Sequence, residues 1–347
     1  VIFVKGVIMA GGQGSRLRPL TLHRPKPMVE VVGIPVIDFV KDALIQGGVN
    51  EVIITTGYRG KSLANHVESW NSDAIKAWVN EEEVAMGTAG SVKLLAKELT
   101  ETFIVGSGDT LASFDIAGLL ALHKEKGAMA TMALWQVENV SEYGVVGLSE
   151  TRDGEINSNL EKGWISRFQE KPSPQEAFSN VINAGLYILE PEVLDLIPED
   201  EKFDWSRQVF PQMLELGMPL YACLTKGIWF DIGRPSDLLK AQNIILENRD
   251  LVWTQIPENP NSESDIIGRC DGSIALKGSA IAAGSIVKNS LLMAGASVSR
   301  GCEIENCIIG RNTVIQKGCI LNGCVIGDRE SVPADSEWNG IRYPNDD

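Results

Sequence analysis

No run in the sequence approaches the roughly 18 consecutive apolar residues that a membrane-spanning helix requires, so no membrane partner is expected. Cysteine is scarce: six in 347 residues, five of them after residue 269, with no Cys-x-x-Cys pair. That scarcity excludes a disulfide scaffold and the common zinc spacings, and it points to reduced thiols in a cytoplasmic protein. Histidine is scarcer still, with only His23, His66 and His123, so no imidazole after residue 123 can serve as a general base. Positive charge is in deficit, 31 Lys and Arg against 46 Asp and Glu, a net charge of −15. A field of that sign repels nucleic acid and anionic lipid at long range, so no nucleic-acid partner is expected. Any phosphate-binding site has to be a local exception to it.

What is present begins as alternation. Residues 4–9, 51–56, 75–79, 102–106 and 128–136 are short β-branched or apolar runs bounded by Gly, Asn or Asp. Residues 36–46, 88–98 and 115–126 carry apolar positions at helical spacing. Further strands are expected at 163–168, 183–189 and 220–225, and a helix over 235–247 with Pro235 in its first turn. Alternation of this kind implies an α/β domain, its mostly parallel sheet flanked by helices. The opening run, residues 1–9, contains Lys5 and leads straight into glycine; it reads as the first strand rather than a secretion leader.

The length suggests two domains. The spacing predicts an α/β domain over residues 1–249, a polar linker with Pro257 and Pro260 over 250–265, a repeat domain over 266–335 and a tail over 336–347. In the repeat, aliphatic or small residues recur every six positions: Ile274, Ala280, Ile286, Leu292, Val298 and Ile304. After a shift of two they resume as Ile308, Val314, Ile320, Ile326 and Val332. Small or turn-tolerant residues stand two positions before most of them. This is the mark of a hexapeptide β-helix with about eighteen residues per turn, giving roughly three and a half coils. One coil cannot bury its own interior, so the coils must stack. Cys302 and Cys319, like Cys307 and Cys324, are seventeen apart and are read as small apolar residues filling stacked corners.

The first strand runs into Met9-Ala10-Gly11-Gly12-Gln13-Gly14-Ser15-Arg16-Leu17-Arg18-Pro19-Leu20-Thr21. Glycines directly after a buried strand let backbone amides approach phosphate oxygens. No acidic residue precedes Glu30, whereas Lys5, Arg16, Arg18, Arg24 and Lys26 all do. Here is the cationic exception that the acidic molecule requires. It is not a Walker A loop, because no Gly-Lys-Ser/Thr follows, and Arg16 and Pro19 break the dinucleotide pattern.

The stretch from Gly11 through Arg24-Pro25-Lys26-Pro27 resembles the signature of the sugar-1-phosphate nucleotidyltransferases. The resemblance continues in order through Glu81-Glu82-Glu83-Val84-Ala85-Met86-Gly87-Thr88-Ala89-Gly90, Gly106-Ser107-Gly108-Asp109, Tyr143-Gly144-Val145, Glu170-Lys171-Pro172, Asn183-Ala184-Gly185 and Trp229-Phe230-Asp231-Ile232-Gly233. Within the family the mannose-1-phosphate guanylyltransferases, with their appended hexapeptide β-helix, are the most similar. The resemblance implies a Rossmann-like mixed sheet followed by a left-handed parallel β-helix. It implies Mg²⁺ held by Asp109 and Asp231, with Arg16 and Lys26 joining them in catalysis. It implies nucleotide contacts at Ala10, Gly11, Gly12, Gly14, Ser15, Arg16, Glu83, Gly87 and Thr88. It implies sugar-phosphate contacts at Tyr143, Gly144, Glu170, Lys171, Asn183, Gly185 and Trp229.

The chemistry asks for the same parts. A phosphate monoester has a second pKa near 6, so it is already anionic at neutral pH and needs no general base. The difficulty is to bring two polyanions together and to stabilise charge on departing pyrophosphate, which calls for cations, amides and a divalent ion. Two carboxylates suit Mg²⁺, which keeps water and phosphate oxygens as its other ligands. GTP with mannose 1-phosphate is the leading substrate pair, although Val84-Ala85-Met86 departs from the guanylyltransferase pattern and leaves open which of Glu81, Glu82 and Glu83 meets the base. UTP or dTTP with glucose 1-phosphate is the alternative. A catalytically silent nucleotide-sugar-binding regulatory subunit should have lost one of Arg16, Lys26, Asp109 or Asp231, and all four are here. Some related β-helices transfer acetyl groups through a His, and this one has none, so it is expected to be structural or regulatory and to join a homo-oligomer.

Overall fold

The structure, a computed structural model, describes residues 4–57 and 60–345; residues 1–3, the start of the expected opening run, lie outside the described residues. Packing divides the chain into two units, Val1–Gly11 with Phe39–Trp229, and Gly12–Asp38 with Phe230–Asp347. The division does not follow a boundary at 249. The Gly-rich loop groups with the C-terminal repeat.

In the first unit nine strands form one sheet: β1 (Lys5–Met9), β2 (Glu51–Thr56), β3 (Lys76–Glu81), β4 (Phe103–Ser107), β5 (Ala130–Gln136), β6 (Gly144–Ser149), β7 (Lys162–Glu170), β8 (Val181–Leu189) and β9 (Leu220–Leu224). Their order is β3-β2-β1-β4-β8-β5-β9-β7-β6. β1 pairs in parallel with β2 and β4, β2 with β3, and β9 with β5. β8 lies antiparallel between β4 and β5, and β7 runs antiparallel to β9 and β6. Parallel pairing therefore holds around β1, and the sheet as a whole is mixed. The links β5–β6, β6–β7 and β7–β8 contain no helix, and a parallel crossover needs one or an equally long connection. Val52, Ile53, Ile54, Phe103, Ile104 and Val105 are fully buried, as befits strands covered on both faces. The helix expected over 88–98 spans Gly87–Lys93 and passes into turns. Helix Gly60–Glu68 was not legible, because it buries only Gly60, Leu63 and Val67.

In the second unit the repeat forms three five-stranded parallel sheets, one per face of a parallel β-helix. Along one face the register runs Ala280↔Ser297↔Val314↔Ser331. Each coil thus takes seventeen residues, as in the Ser290 to Ser273 hydrogen bond between coils, not the expected eighteen. Five strands stack on each face, so the helix is longer than three and a half coils. Glu337–Asn339 and Arg342–Tyr343, inside the stretch expected to be a tail, pair as its last strands. Asp265–Ile266, at the end of the expected linker, pairs as its first.

The interior is lined by Ala275, Ile281, Val287, Leu292, Val298, Ile304, Ile309, Ile315, Leu321, Ile326 and Val332, none more than 2% exposed. They advance in steps of six, six and five. Five of the expected inward residues are among them, while Val314 and Ile320 are 40% and 46% exposed and face outward. Two positions before each interior residue stands the corner. There the Oγ of Ser273 accepts from Ser290 N–H at 3.0 Å, that of Ser290 from Cys307 N–H at 2.9 Å, and Cys307 Sγ from Cys324 N–H at 3.3 Å. In the next column Cys302 N–H donates to Ser285 Oγ at 3.0 Å. Small hydroxyl and thiol residues recur because they bridge the backbones of successive coils in a space too small for larger ones. Trp338 and Tyr343, rings 5.3 Å apart, close the end of the stack. All six cysteines are free thiols.

Candidate active site

The loop after β1 is built by one left-handed residue. Gly14 has φ 64°, and a Cβ there would lie 2.9 Å from Lys26 Cβ, so only glycine lets the two strands of the loop close. Thr21 Oγ1 donates to Gly14 O at 2.8 Å and fastens the turn. Gly11 and Gly12 stand in the open, where a Cβ would meet nothing within 4 Å. Single helical turns at Ser15–Leu17 and Lys26–Met28 follow. Leu17 and Leu20 are buried and anchor the loop, while Ser15 and Arg16 are exposed.

Lys26 is 9% exposed, and its Nζ lies 3.2 Å from Asp231 Oδ1. Arg16 joins them: a Cβ on Gly233 would sit 3.3 Å from Arg16 Nη2 and 3.5 Å from Asp231 Oδ2. Within this unit the fold therefore gathers Arg16, Lys26 and Asp231, three of the four residues expected in catalysis. The arrangement is a compact cationic patch with one carboxylate, beside an exposed stretch of glycine amides.

The same loop is braced by residues that the sequence reading missed. Arg24 and Asp328 form an ion pair with side chains 5% and 12% exposed. Arg311 binds Glu30 through two nitrogens, its Nε at 3.2 Å from Oε2. Arg342 Nη1 donates to the carbonyls of Arg16 and Arg18 at 3.0 and 3.1 Å.

In the first unit Asp109 follows the carboxyl end of β4, where open α/β sheets present ligand groups. Ser107 Oγ donates to Asp109 Oδ1 at 2.6 Å, and Gly108 N–H donates to Met9 O at 2.9 Å, joining the ends of β4 and β1. Ala10 is buried, its N–H bonded to Thr55 O at 2.8 Å. In the acidic triplet Glu83 is exposed, and Glu82 accepts from Met86 N–H at 3.0 Å, shaping the turn into helix Gly87–Lys93. Burial raises the Glu82 carboxyl above its ordinary pKa. Thr88 Oγ1 donates to Asp204 Oδ2 at 2.8 Å and accepts from Trp205 N–H at 3.1 Å, so its hydroxyl holds that helix to the 203–205 segment.

The expected sugar-phosphate residues cluster in the same unit. Tyr143 and Trp229 meet edge to face at 5.5 Å, and Trp229 Nε1 donates to Ala184 O at 2.9 Å. Gly144 pairs with Glu170 across β6 and β7. Asn183 donates to Tyr187 Oη at 2.7 Å and accepts from Gly185 N–H at 2.8 Å. Burial raises the Glu170 carboxyl; Lys171 and Arg207 oppose that shift and Asp204 adds to it. Lys171 has the left-handed φ of 48° and its N–H bonds Tyr143 O at 2.9 Å. Such a backbone costs about 1–3 kcal/mol and persists where its surroundings impose it, as at binding sites. Asp204, Ser206 and Arg207 complete the cluster and were not foreseen. The only sequence signal is an acid between two aromatics in Phe203-Asp204-Trp205.

The nucleotidyl transferase family matches residues 5–248, the stretch that opens with this strand and loop. The chain belongs to it. The GlmU-like C-terminal hexapeptide family matches residues 261–339, in agreement with the β-helix. A Synechocystis sp. protein named UTP–glucose-1-phosphate uridylyltransferase is 35% identical over 272 residues, 73% of this chain and 66% of its own. A Dictyostelium discoideum protein named mannose-1-phosphate guanylyltransferase catalytic subunit beta is 36% identical over 268 residues, 76% of this chain and 70% of its own. A Xenopus laevis protein named mannose-1-phosphate guanyltransferase beta-A is 36% identical over 249 residues, 71% of this chain and 65% of its own. The chain spans about two thirds of the length of these relatives. Among the described residues no helix is long and apolar enough to cross a membrane.

Proposed function

We propose that this chain transfers a nucleotidyl group from a nucleoside triphosphate to a hexose 1-phosphate, with GTP and mannose 1-phosphate as the leading pair. The observation that carries the reading is the meeting of Arg16, Lys26 and Asp231, two of them on the loop that Gly12 and Gly14 open. A phosphate oxygen of the sugar phosphate attacks the α-phosphorus; the new P–O bond forms as the α–β bridging P–O bond breaks, and pyrophosphate leaves with the electron pair. Arg16, Lys26 and the loop amides bind the triphosphate and offset the charge that grows on the leaving group. Tyr143, Glu170, Lys171, Asn183, Gly185 and Trp229 hold the sugar phosphate, Lys171 at the phosphate and Glu170 at a hydroxyl.

Asp109 and Asp231 would hold Mg²⁺. Both offer hard carboxylate oxygens, the donor chemistry that Mg²⁺ takes, although the described residues contain no group of three or more metal-binding side chains. Bound there, the ion would supply Lewis-acid polarisation of the phosphate oxygens. The protein would act in the cytoplasm, consistent with its free thiols, and would form a homo-oligomer through the β-helix. Sedimentation of the full chain at its monomer mass over the micromolar range would exclude the oligomer.

A second reading, a uridylyl or thymidylyl transfer to glucose 1-phosphate, draws on the name of the Synechocystis relative. The deciding experiment is pyrophosphate release with ATP, GTP, CTP, UTP or dTTP against mannose, glucose or galactose 1-phosphate. Release with GTP and mannose 1-phosphate well above all other pairs supports the leading reading. Release from no pair would remove nucleotidyl transfer altogether.

A further inference from the structure

Three attachments tie the loop to the β-helix, and all lie on coils near its C-terminal end. Arg311 grips Glu30, Asp328 pairs with Arg24 while accepting from Arg311 N–H at 2.9 Å, and Arg342 spans the carbonyls of Arg16 and Arg18. Pro19 packs here too, its Cβ 3.3 Å from where a Cβ on Gly327 would stand. The attachments fall on either side of Lys26 and at the residue that carries the Arg16 guanidinium. A loop opening with Gly-Gly-Gln-Gly loses more chain entropy on ordering than an ordinary one, so it needs an external brace to hold its amides and cations in one geometry.

We infer that Arg342 is a positioning residue for the triphosphate-binding loop, and that the last coils of the β-helix thereby form part of the catalytic apparatus. The inference rests on the proposed nucleotidyl transfer for its kinetic consequence only. Arg342 is exposed, so its removal leaves no buried charge behind, unlike loss of the Arg24–Asp328 pair. Its Nη1 alone reaches both carbonyls, a position that the shorter lysine side chain copies only in part.

The test compares the full-length wild type with Arg342→Ala and Arg342→Lys. Hydrogen exchange followed by mass spectrometry reads the loop whether or not any substrate is turned over. In Arg342→Ala, amides of residues 12–22 should exchange faster, while those of the β-helix interior keep their protection and thermal unfolding is little changed. With substrates, kcat/KM for the triphosphate should fall roughly ten- to hundredfold, as misplacement of catalytic groups does. The KM for the sugar phosphate should move little, and Arg342→Lys should recover part of the loss. In an Arg16→Ala background the same substitution should cost much less, because the two act through one element. Unchanged loop exchange in Arg342→Ala overturns the inference. A wild type that turns over no substrate pair would sink the transferase reading instead, and the exchange data would still decide whether Arg342 orders the loop.

Discussion

Lys26 Nζ and Asp231 Oδ1 lie 3.2 Å apart although 205 residues separate them in the chain. The cation comes from the loop after the first strand and the carboxylate from the last strand before helix Pro235–Glu247. The two side chains form one ion pair, so they are expected to act as one unit. Lys26→Met and Asp231→Asn should each lower pyrophosphate release by about 10²-fold or more. The double variant should be little worse than the poorer single one. Losses that multiply would show that the two work independently.

Asp109→Asn preserves shape and the hydrogen bond from Ser107 but removes the charge. Turnover should drop by about 10²-fold or more with an unchanged circular dichroism spectrum. Excess Mg²⁺ should recover little of it. Activity close to wild type would remove Asp109 from the metal site.

Glu170 gives a pH test with a definite sign. Burial raises its carboxyl pKa in the folded state, so the folded chain holds that proton more tightly than the unfolded one. Its contribution to stability is therefore full below the ordinary carboxylate range and is lost as pH rises through the raised value. Glu170→Gln should unfold at a higher temperature than wild type at pH 7, and the gap should close near pH 4. The same variant should raise KM for the sugar phosphate. An equal gap at both pH values would mean that the carboxyl is not perturbed.

Cys302, Cys307, Cys319 and Cys324 are fully buried in the corners of the β-helix, and burial pushes the Cys302 thiol further from its reactive thiolate. Iodoacetamide should leave all four unmodified in the native protein and label them after denaturation. Cys307→Ser should be nearly neutral, because Ser273 and Ser290 fill the same column. Cys307→Leu should cost about 1–3 kcal/mol by overpacking. Rapid native labelling of Cys302 or Cys319 would contradict the packed corners.

Much of the α/β unit could be read from residues alone, since runs such as Glu51–Thr56 and Phe103–Ser107 are bounded and buried on both faces. The β-helix was legible in kind but not in phase. Ile274-Ala275, Ala280-Ile281, Ile308-Ile309, Val314-Ile315 and Ile320-Leu321 are aliphatic doublets, and either member satisfies a six-residue count. A five-residue step in every coil moves the inward member along the pair, which fixed spacing cannot follow. Arg16, Lys26 and Asp231 were singled out by the resemblance of their segments to a family signature, and the fold brings their side chains together. Arg342 was not, because a lone arginine in a polar stretch near the end of a chain carries no pattern; its role comes only from the two carbonyls it reaches.

Residues 12–38 sort with the β-helix and not with the strand that leads into them. Domain exchange by cutting the chain near residue 249 would therefore transplant half of a fitted assembly. A chimera with a foreign β-helix would leave Arg24 and Glu30 without Asp328 and Arg311, and it should express poorly unless the donor's own segment equivalent to residues 12–38 is grafted along with its β-helix.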